Sequence, residues 1–246
     1  NKTWDYSGLK EERASVGMYY DANNSELPGA THMYKSAYDV SIFKHRAEDY
    51  YRLDETGFYD VGRKQFDTTF SLTAVTGGPN DVMHFPTATV KFKERTIVKF
   101  PLNYEDEWSN VEEETTKFNL TIQGYGLNNT PGEIVKYRYY KRKVVGWGKL
   151  IIPDGNGKAS GGIDVLLLHV ADSAIDSVFL GGAPAPDALL SAFGFVQGRT
   201  ISSEGYAFET KDFGYQPLGI FLKKDVGGVD YAFFRTRASR LAVSAE

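Results

Sequence analysis

Six carboxylates crowd between positions 105 and 114, namely Glu105, Asp106, Glu107, Glu112, Glu113 and Glu114, with Trp108 among them. Two carboxyls held about 5 to 10 Å apart across a cleft, one with its pKa raised by burial, can cleave a glycosidic bond by acid and base catalysis. The stretch therefore holds the pieces of an extracellular carbohydrate-active hydrolase. A run of like charges is more often a solvated surface, and here it reads as an exposed acidic loop. Trp108 is a core residue by type and a candidate ligand contact by position.

A second stretch, Lys136-Tyr137-Arg138-Tyr139-Tyr140-Lys141-Arg142-Lys143, interleaves five cations with three aromatics. Cations for phosphate and rings for base stacking are what a single-stranded nucleic acid groove needs. Cations on a solvent-facing strand also block edge-to-edge pairing, with the tyrosines turned to the core. The chain carries 28 Lys and Arg against 32 Asp and Glu, a net charge of -4 and a pI near 5.7. That balance argues against nucleic acid and anionic membrane surfaces. Tyr137, Arg138, Tyr139, Tyr140 and Trp108 are left as candidate contacts for a glycan or an envelope protein.

The remaining motifs carry less. Asp154-Gly155-Asn156-Gly157-Lys158 opens like a calcium loop, but Lys158 stands where a third oxygen ligand belongs and Val165 where a bidentate Glu belongs. It reads as a Gly-rich turn. Gly155-x-Gly157 leads into a strand, so it presents no helix N-terminus to a phosphate. His32, His45, His84 and His169 show no metal-ligand spacing. There is no Gly-x-Ser-x-Gly elbow and no cysteine, which excludes disulfides, thiolate metal sites and a cysteine nucleophile. Three N-x-S/T matches, beginning at Asn23, Asn119 and Asn128, are of the kind that arises by chance. No catalytic residue, metal or cofactor is expected.

The elements that position these groups are strands. Aromatics make up 14% of the chain and Gly is frequent, at 25 residues, which favours pleated, half-buried surfaces. Alternation marks strands over 36–48, 50–53, 57–61, 66–75, 88–93, 96–102, 116–123, 133–145, 149–152, 163–170, 206–209, 218–223 and 230–236. The turn Asp54-Glu55-Thr56-Gly57 makes a hairpin of the second and third, and Asp225-Val226-Gly227-Gly228 joins the last two. Leu189, Leu190 and Phe193 lie at helical spacing after Pro186, so 186–195 reads as a short helix. The expected fold is all-β, a mainly antiparallel sandwich with at most one or two short helices. It is either one continuous domain or an N-terminal β-rich lobe, 1–102, followed by a C-terminal sandwich lobe, 103–246. Trp4, Trp108 and Trp147 are expected to be at least partly buried, and loss of a buried Trp147 would cost roughly 3 kcal/mol.

Several landmarks resemble a group of secreted β-rich proteins of Bacteroidetes-type bacteria. Thr3-Trp4-Asp5-Tyr6-Ser7-Gly8-Leu9 is similar to that group's TWDFS-x-L opening. Tyr50-Tyr51-Arg52-Leu53 with Gly57-Phe58-Tyr59, and Phe100-Pro101-Leu102-Asn103-Tyr104 with Trp108-Ser109, match its aromatic landmarks in the same order. Gly146-Trp147-Gly148-Lys149-Leu150 through Gly155 is similar to its GYGTLxxPxG signature, followed by the strand Asp164 to Val170. Glu105 departs from the Gly expected after Tyr104, and Leu168 stands where a basic residue is frequent. The resemblance implies a cell-envelope or extracellular β-protein and supplies no catalytic residues. A chain that starts at Asn1 agrees with removal of an export signal, and the longest apolar run, Val165 to Leu168, is too short to span a bilayer. The functional expectation is an exported, non-enzymatic binding or structural module, with the hydrolase as alternative.

Overall fold

The computed structural model describes residues 1–8, 19–22, 26–40, 43–152, 161–210, 219–224 and 231–234. The strands run β1 (Lys2–Asp5), β2 (Tyr19–Asp21), β3 (His32–Val40), β4 (Phe43–Asp54), β5 (Gly57–Gln65), β6 (Thr68–Ser71), β7 (Val82–Phe85) and β8 (Ala88–Lys99). They continue with β9 (Glu107–Ile122), β10 (Leu127–Ile151), β11 (Ile163–Leu180), β12 (Ala183–Pro184), β13 (Thr200–Glu209), β14 (Gly219–Lys224) and β15 (Tyr231–Phe234). Two short helices, α1 (Thr73–Thr76) and α2 (Asp187–Ala192), interrupt them, together with a 3₁₀ turn at Gln123–Tyr125. None of the helices among the described residues is long and apolar enough to cross a membrane.

The strands form two packed sheets, the all-β sandwich expected from composition. The smaller sheet has the order β2-β3-β4-β5-β8. The larger has β15-β14-β13-β11-β10-β9-β7-β6, with β12 beside β11 and β1 parallel to β10. Strands on both sides of position 102 share this larger sheet, because β1, β6 and β7 join β9 to β15 in it.

Several elements differ from the sequence expectation. Residues 105–114 are not a loop: from Glu107 onward they form the first half of β9, because Trp108 and Asn110 lean toward β8 while alternate glutamates meet arginines on the other sheet. The expected pair 88–93 and 96–102 is the single strand β8, whose irregular register against β5 kinks it without ending it. Segments 133–145 and 149–152 are likewise one strand, β10, with a bulge between Val144 and Gly146. Segment 36–48 contains the β3–β4 hairpin, and 66–75 divides into β6 and α1, which Gly77 closes in a left-handed conformation. The Asp54–Gly57 hairpin and the helix near 187–192 appear as expected. The turns at 154–158 and 225–228 lie outside the described residues.

Gly148 explains its place in the Gly-Trp-Gly corner. A Cβ there would lie 1.9 Å from the Lys2 carbonyl oxygen, so only glycine lets β1 run alongside β10 past the point where β9 stops. Trp4 and Tyr6 then pack edge-on against buried Phe208, at 5.2 and 6.3 Å between ring centroids. Trp4 and Trp108 are half-buried, but Trp147 is 48% exposed. Trp147→Ala is therefore expected to cost about 1 kcal/mol or less, read as a melting temperature little changed from wild type.

The space between the sheets is layered. At one end an apolar cluster of Leu72, Phe85, Phe118, Leu120, Ile134 and Val178 is capped by Leu189, Leu190 and Phe193 of the α2 region. At the other, Val144, Leu168, Val170 and Ala207 pack with Trp108. Between these two apolar layers lies a layer of ions.

Candidate functional site

Strand register sorts the candidate residues onto two faces, because successive side chains of a strand point to opposite sides. On β10, Tyr137 stands between Glu113 of β9 and Ile175 of β11, and Tyr139 between Val111 and Ser173. This row faces away from the smaller sheet. Its side chains are open to solvent: Tyr137 is 45% exposed, Tyr139 43%, Val111 63% and Ile175 37%. Two residues along a strand span about 7 Å, so the two exposed tyrosines form an aromatic strip with apolar Val111 and Ile175 beside it. Ser202 and Thr200 of β13 continue the rows of Ser173 and Ile175.

Arg138 and Tyr140 point the other way, into the space between the sheets. Arg138 and Glu112 are register partners, as are Lys136 and Glu114. The five candidate contacts therefore do not form one surface. Tyr137 and Tyr139 share the outer strip, whereas Arg138 and Tyr140 belong to the interior. Trp108 lies further along the interior face, its indole Nε1 donating to the Thr96 carbonyl at 3.1 Å.

The interior layer ties the sheets together through charge. Arg63 of β5 donates to Asp49 of β4 at 2.7 Å and crosses to Glu114 of β9 at 2.8 Å. Arg138 approaches the other oxygen of Glu114 at 3.9 Å. Arg95 of β8 donates to Asp60 of β5 at 2.7 Å, to Glu112 of β9 at 3.3 Å and to the Tyr140 hydroxyl, which also accepts from Arg138. The guanidinium groups of Arg63 and Arg95 stack over the rings of Tyr38 and Tyr140, at 4.5 and 4.4 Å from the centroids. Glu112 is 1% exposed and Glu114 4%.

Of the six clustered carboxylates, Glu112 and Glu114 are thus buried and matched to arginine, while Asp106 binds Lys99 and Glu107 binds Lys141. The hydrogen bond and charge from Lys141 hold Glu107 below the usual carboxylate range, and the Asn103 backbone N–H, then Lys99, do the same for Asp106. Hydrolysis needs two carboxyls facing each other across an open gap. Glu112 and Glu114 instead sit side by side on one strand with guanidinium groups against them.

A third polar element lies where the chain passes from the smaller to the larger sheet. His45, fully buried, has its Nε2 2.9 Å from the Phe66 carbonyl, so this nitrogen carries the proton and Nδ1 accepts from the Tyr38 hydroxyl at 2.7 Å. Burial pushes the His45 pKa down, against the hydrogen bond to the Phe66 carbonyl. Lys44, Arg46, Phe66, Asp67 and Thr68 line an open concavity of about 520 Å³ beside it. Its charges are mixed: Lys44 and Arg46 share the lining with Asp67, which binds His84 at 3.0 Å.

The histidines remain apart in function. His169 binds Glu204 at 2.6 Å and packs edge-on against Tyr206, while His32 meets the Thr31 hydroxyl at 2.8 Å. Among the described residues no three metal-capable side chains come together. Asp49, Asp60, Arg63 and Arg95 of the interior layer were not singled out from sequence, and neither were Val111 and Ile175 of the outer strip. The available signal was parity: charged residues at inward positions, apolar ones at outward positions. Comparison with known protein families, curated proteins and solved structures finds no match for this chain.

Proposed function

We propose that this protein is an exported, non-enzymatic module of the bacterial cell envelope that binds glycan on the outer face of its larger sheet. The observation that carries the reading is the solvent-open pair Tyr137 and Tyr139 on neighbouring same-face positions of β10. Aromatic faces offer apolar area with a negative quadrupole, which suits the C–H face of a sugar ring. Ser173, Ser202 and Glu113 on the same face can bond hydroxyl groups. A purely apolar surface would instead suit a protein partner. The pairing of Glu112 and Glu114 with arginine favours binding over hydrolysis. The resemblance to secreted Bacteroidetes-type proteins supports export.

A glycan array tests the reading. Wild type is expected to retain a defined set of glycans, and the Tyr137→Ala/Tyr139→Ala double variant to lose at least about tenfold in affinity for them. Because both rings are exposed, the variant should keep its stability within about 0.5 kcal/mol for each substitution. An array with no signal, alongside capture of a defined envelope protein that the double variant fails to bind, would replace glycan by a protein partner.

A further inference from the structure

Among the described residues, the interior ion layer holds an unequal number of charges. Four carboxylates, those of Asp49, Asp60, Glu112 and Glu114, are served by three guanidinium groups, those of Arg63, Arg95 and Arg138. The bordering pairs Arg142 with Asp172 and Lys136 with Asp176 are each balanced and leave the excess unchanged. An uncompensated buried charge is costly, and a group so placed takes up a proton instead. Asp60 is the member best placed to do so. It is 6% exposed, its Oδ2 faces Arg95, and its Oδ1 is buried with no hydrogen-bond partner among the described residues, whereas the similarly unbonded Oε2 of Glu114 has the Arg138 guanidinium 3.9 Å away.

We infer that the ion layer between the sheets carries one proton at mildly acidic pH, held on Asp60, and that its loss as pH rises loosens the packing of one sheet on the other. The groups facing Asp60 come from every element around it. Asp49 and Tyr51 lie on β4, Arg63 on β5, Arg95 on β8, Glu112 on β9 and Tyr140 on β10 beside Arg95. Burial pushes the Asp60 carboxyl up to about 7, Arg95 and Arg63 work against the rise, and Glu112 and Asp49 add to it. With Asp60 protonated, Arg95 still has Glu112 and the Tyr140 hydroxyl, and the three remaining carboxylates match the three guanidinium groups.

The direction of the pH effect follows from linkage. The folded pKa lies above the unfolded value of 3.8, so the native state binds the extra proton between about pH 4 and about pH 7. The stabilisation is complete below the unfolded value and is lost as pH rises through the folded one. His32 and His45, both pushed down by burial, give the opposite slope up to their ordinary value of 6.5. The difference between wild type and Asp60→Asn isolates the aspartate, since Asn mimics the protonated side chain.

Urea unfolding of the whole chain at intervals from about pH 5 to about pH 8.5 reads this out. Asp60→Asn is expected to unfold at the higher urea concentration, by a margin that widens from pH 5 to about pH 7 and is constant above it. A constant separation across the range would overturn the inference. Should Asp60→Asn fail to fold, ¹³C titration of the aspartate and glutamate carboxyls of wild type decides it. Asp60 should titrate near neutrality, and Glu112→Gln should lower that value by removing the neighbouring like charge. Titration of Asp60 in the ordinary carboxylate range, or a neutral-range titration seen on Glu112 and not on Asp60, would contradict the assignment.

Discussion

Replacing Arg63 with alanine is expected to lower the unfolding free energy by about 3 to 5 kcal/mol, because breaking a buried ion pair strands its partners. Arg63 holds Asp49 at 2.7 Å within the smaller sheet and Glu114 at 2.8 Å across to the larger one. Asp49 would be left half-buried and Glu114 buried, the latter with only the longer approach of Arg138 at 3.9 Å among the described residues. The cost reflects stranded charge more than the net value of the pairs. Removing Asp49 and Glu114 along with Arg63, with apolar residues of similar volume, should restore most of the loss. Urea midpoints of the single and triple variants check this. A loss below about 1 kcal/mol for Arg63→Ala would show that water reaches the layer.

Phe85→Ala should be similarly damaging, at about 3 to 5 kcal/mol, but for a different reason. The Phe85 ring is fully buried and touches His45, Phe70 and Phe118, with ring centroids at 4.9, 5.9 and 5.8 Å. These neighbours come from β4, β6 and β9, so the cavity would open where both sheets and the chain crossing between them meet. Phe85→Leu should retain more than half of the lost stability by filling part of the volume. Equal midpoints for Phe85→Ala and wild type would mean that the site collapses freely, against the packing described.

Strand content was legible in the sequence because alternation and turn residues are local signals. Asp54 to Gly57 makes a hairpin by itself, and Leu189, Leu190 and Phe193 mark α2 by spacing alone. Strand length was not legible. β10 runs through the bulge at Val144 and Gly146, and β8 through its irregular register, because pairing with long neighbouring strands overrides local breaks. The acidic stretch misled for the same reason: Glu112 and Glu114 look solvated until Arg63 and Arg95, 51 and 17 residues away from them in sequence, are brought opposite.

The candidate site was legible only in part. The cationic, aromatic stretch at 136–143 does mark the central strand of the larger sheet, yet its parity divides it. Tyr137 and Tyr139 face solvent, whereas Arg138 and Tyr140 enter the ion layer with residues of β5 and β8. The bulge beyond Val144 leaves the alternation unchanged, with even-numbered positions buried on both sides of it, from Gly132 and Ile134 to Val144, Gly148 and Leu150. Val111 and Ile175 join the tyrosines only through cross-strand register, which no single strand reveals.

The most direct test of the proposed binding role is a backbone amide NMR titration of the whole chain with a glycan retained on the array. Shift changes are expected to concentrate on β10 around Tyr137 and Tyr139, with their neighbours at Val111 and Glu113 of β9 and at Ser173 and Ile175 of β11. Saturable changes confined to another surface, such as the concavity lined by Lys44, Arg46 and Phe66, with the outer strip unmoved, would contradict it.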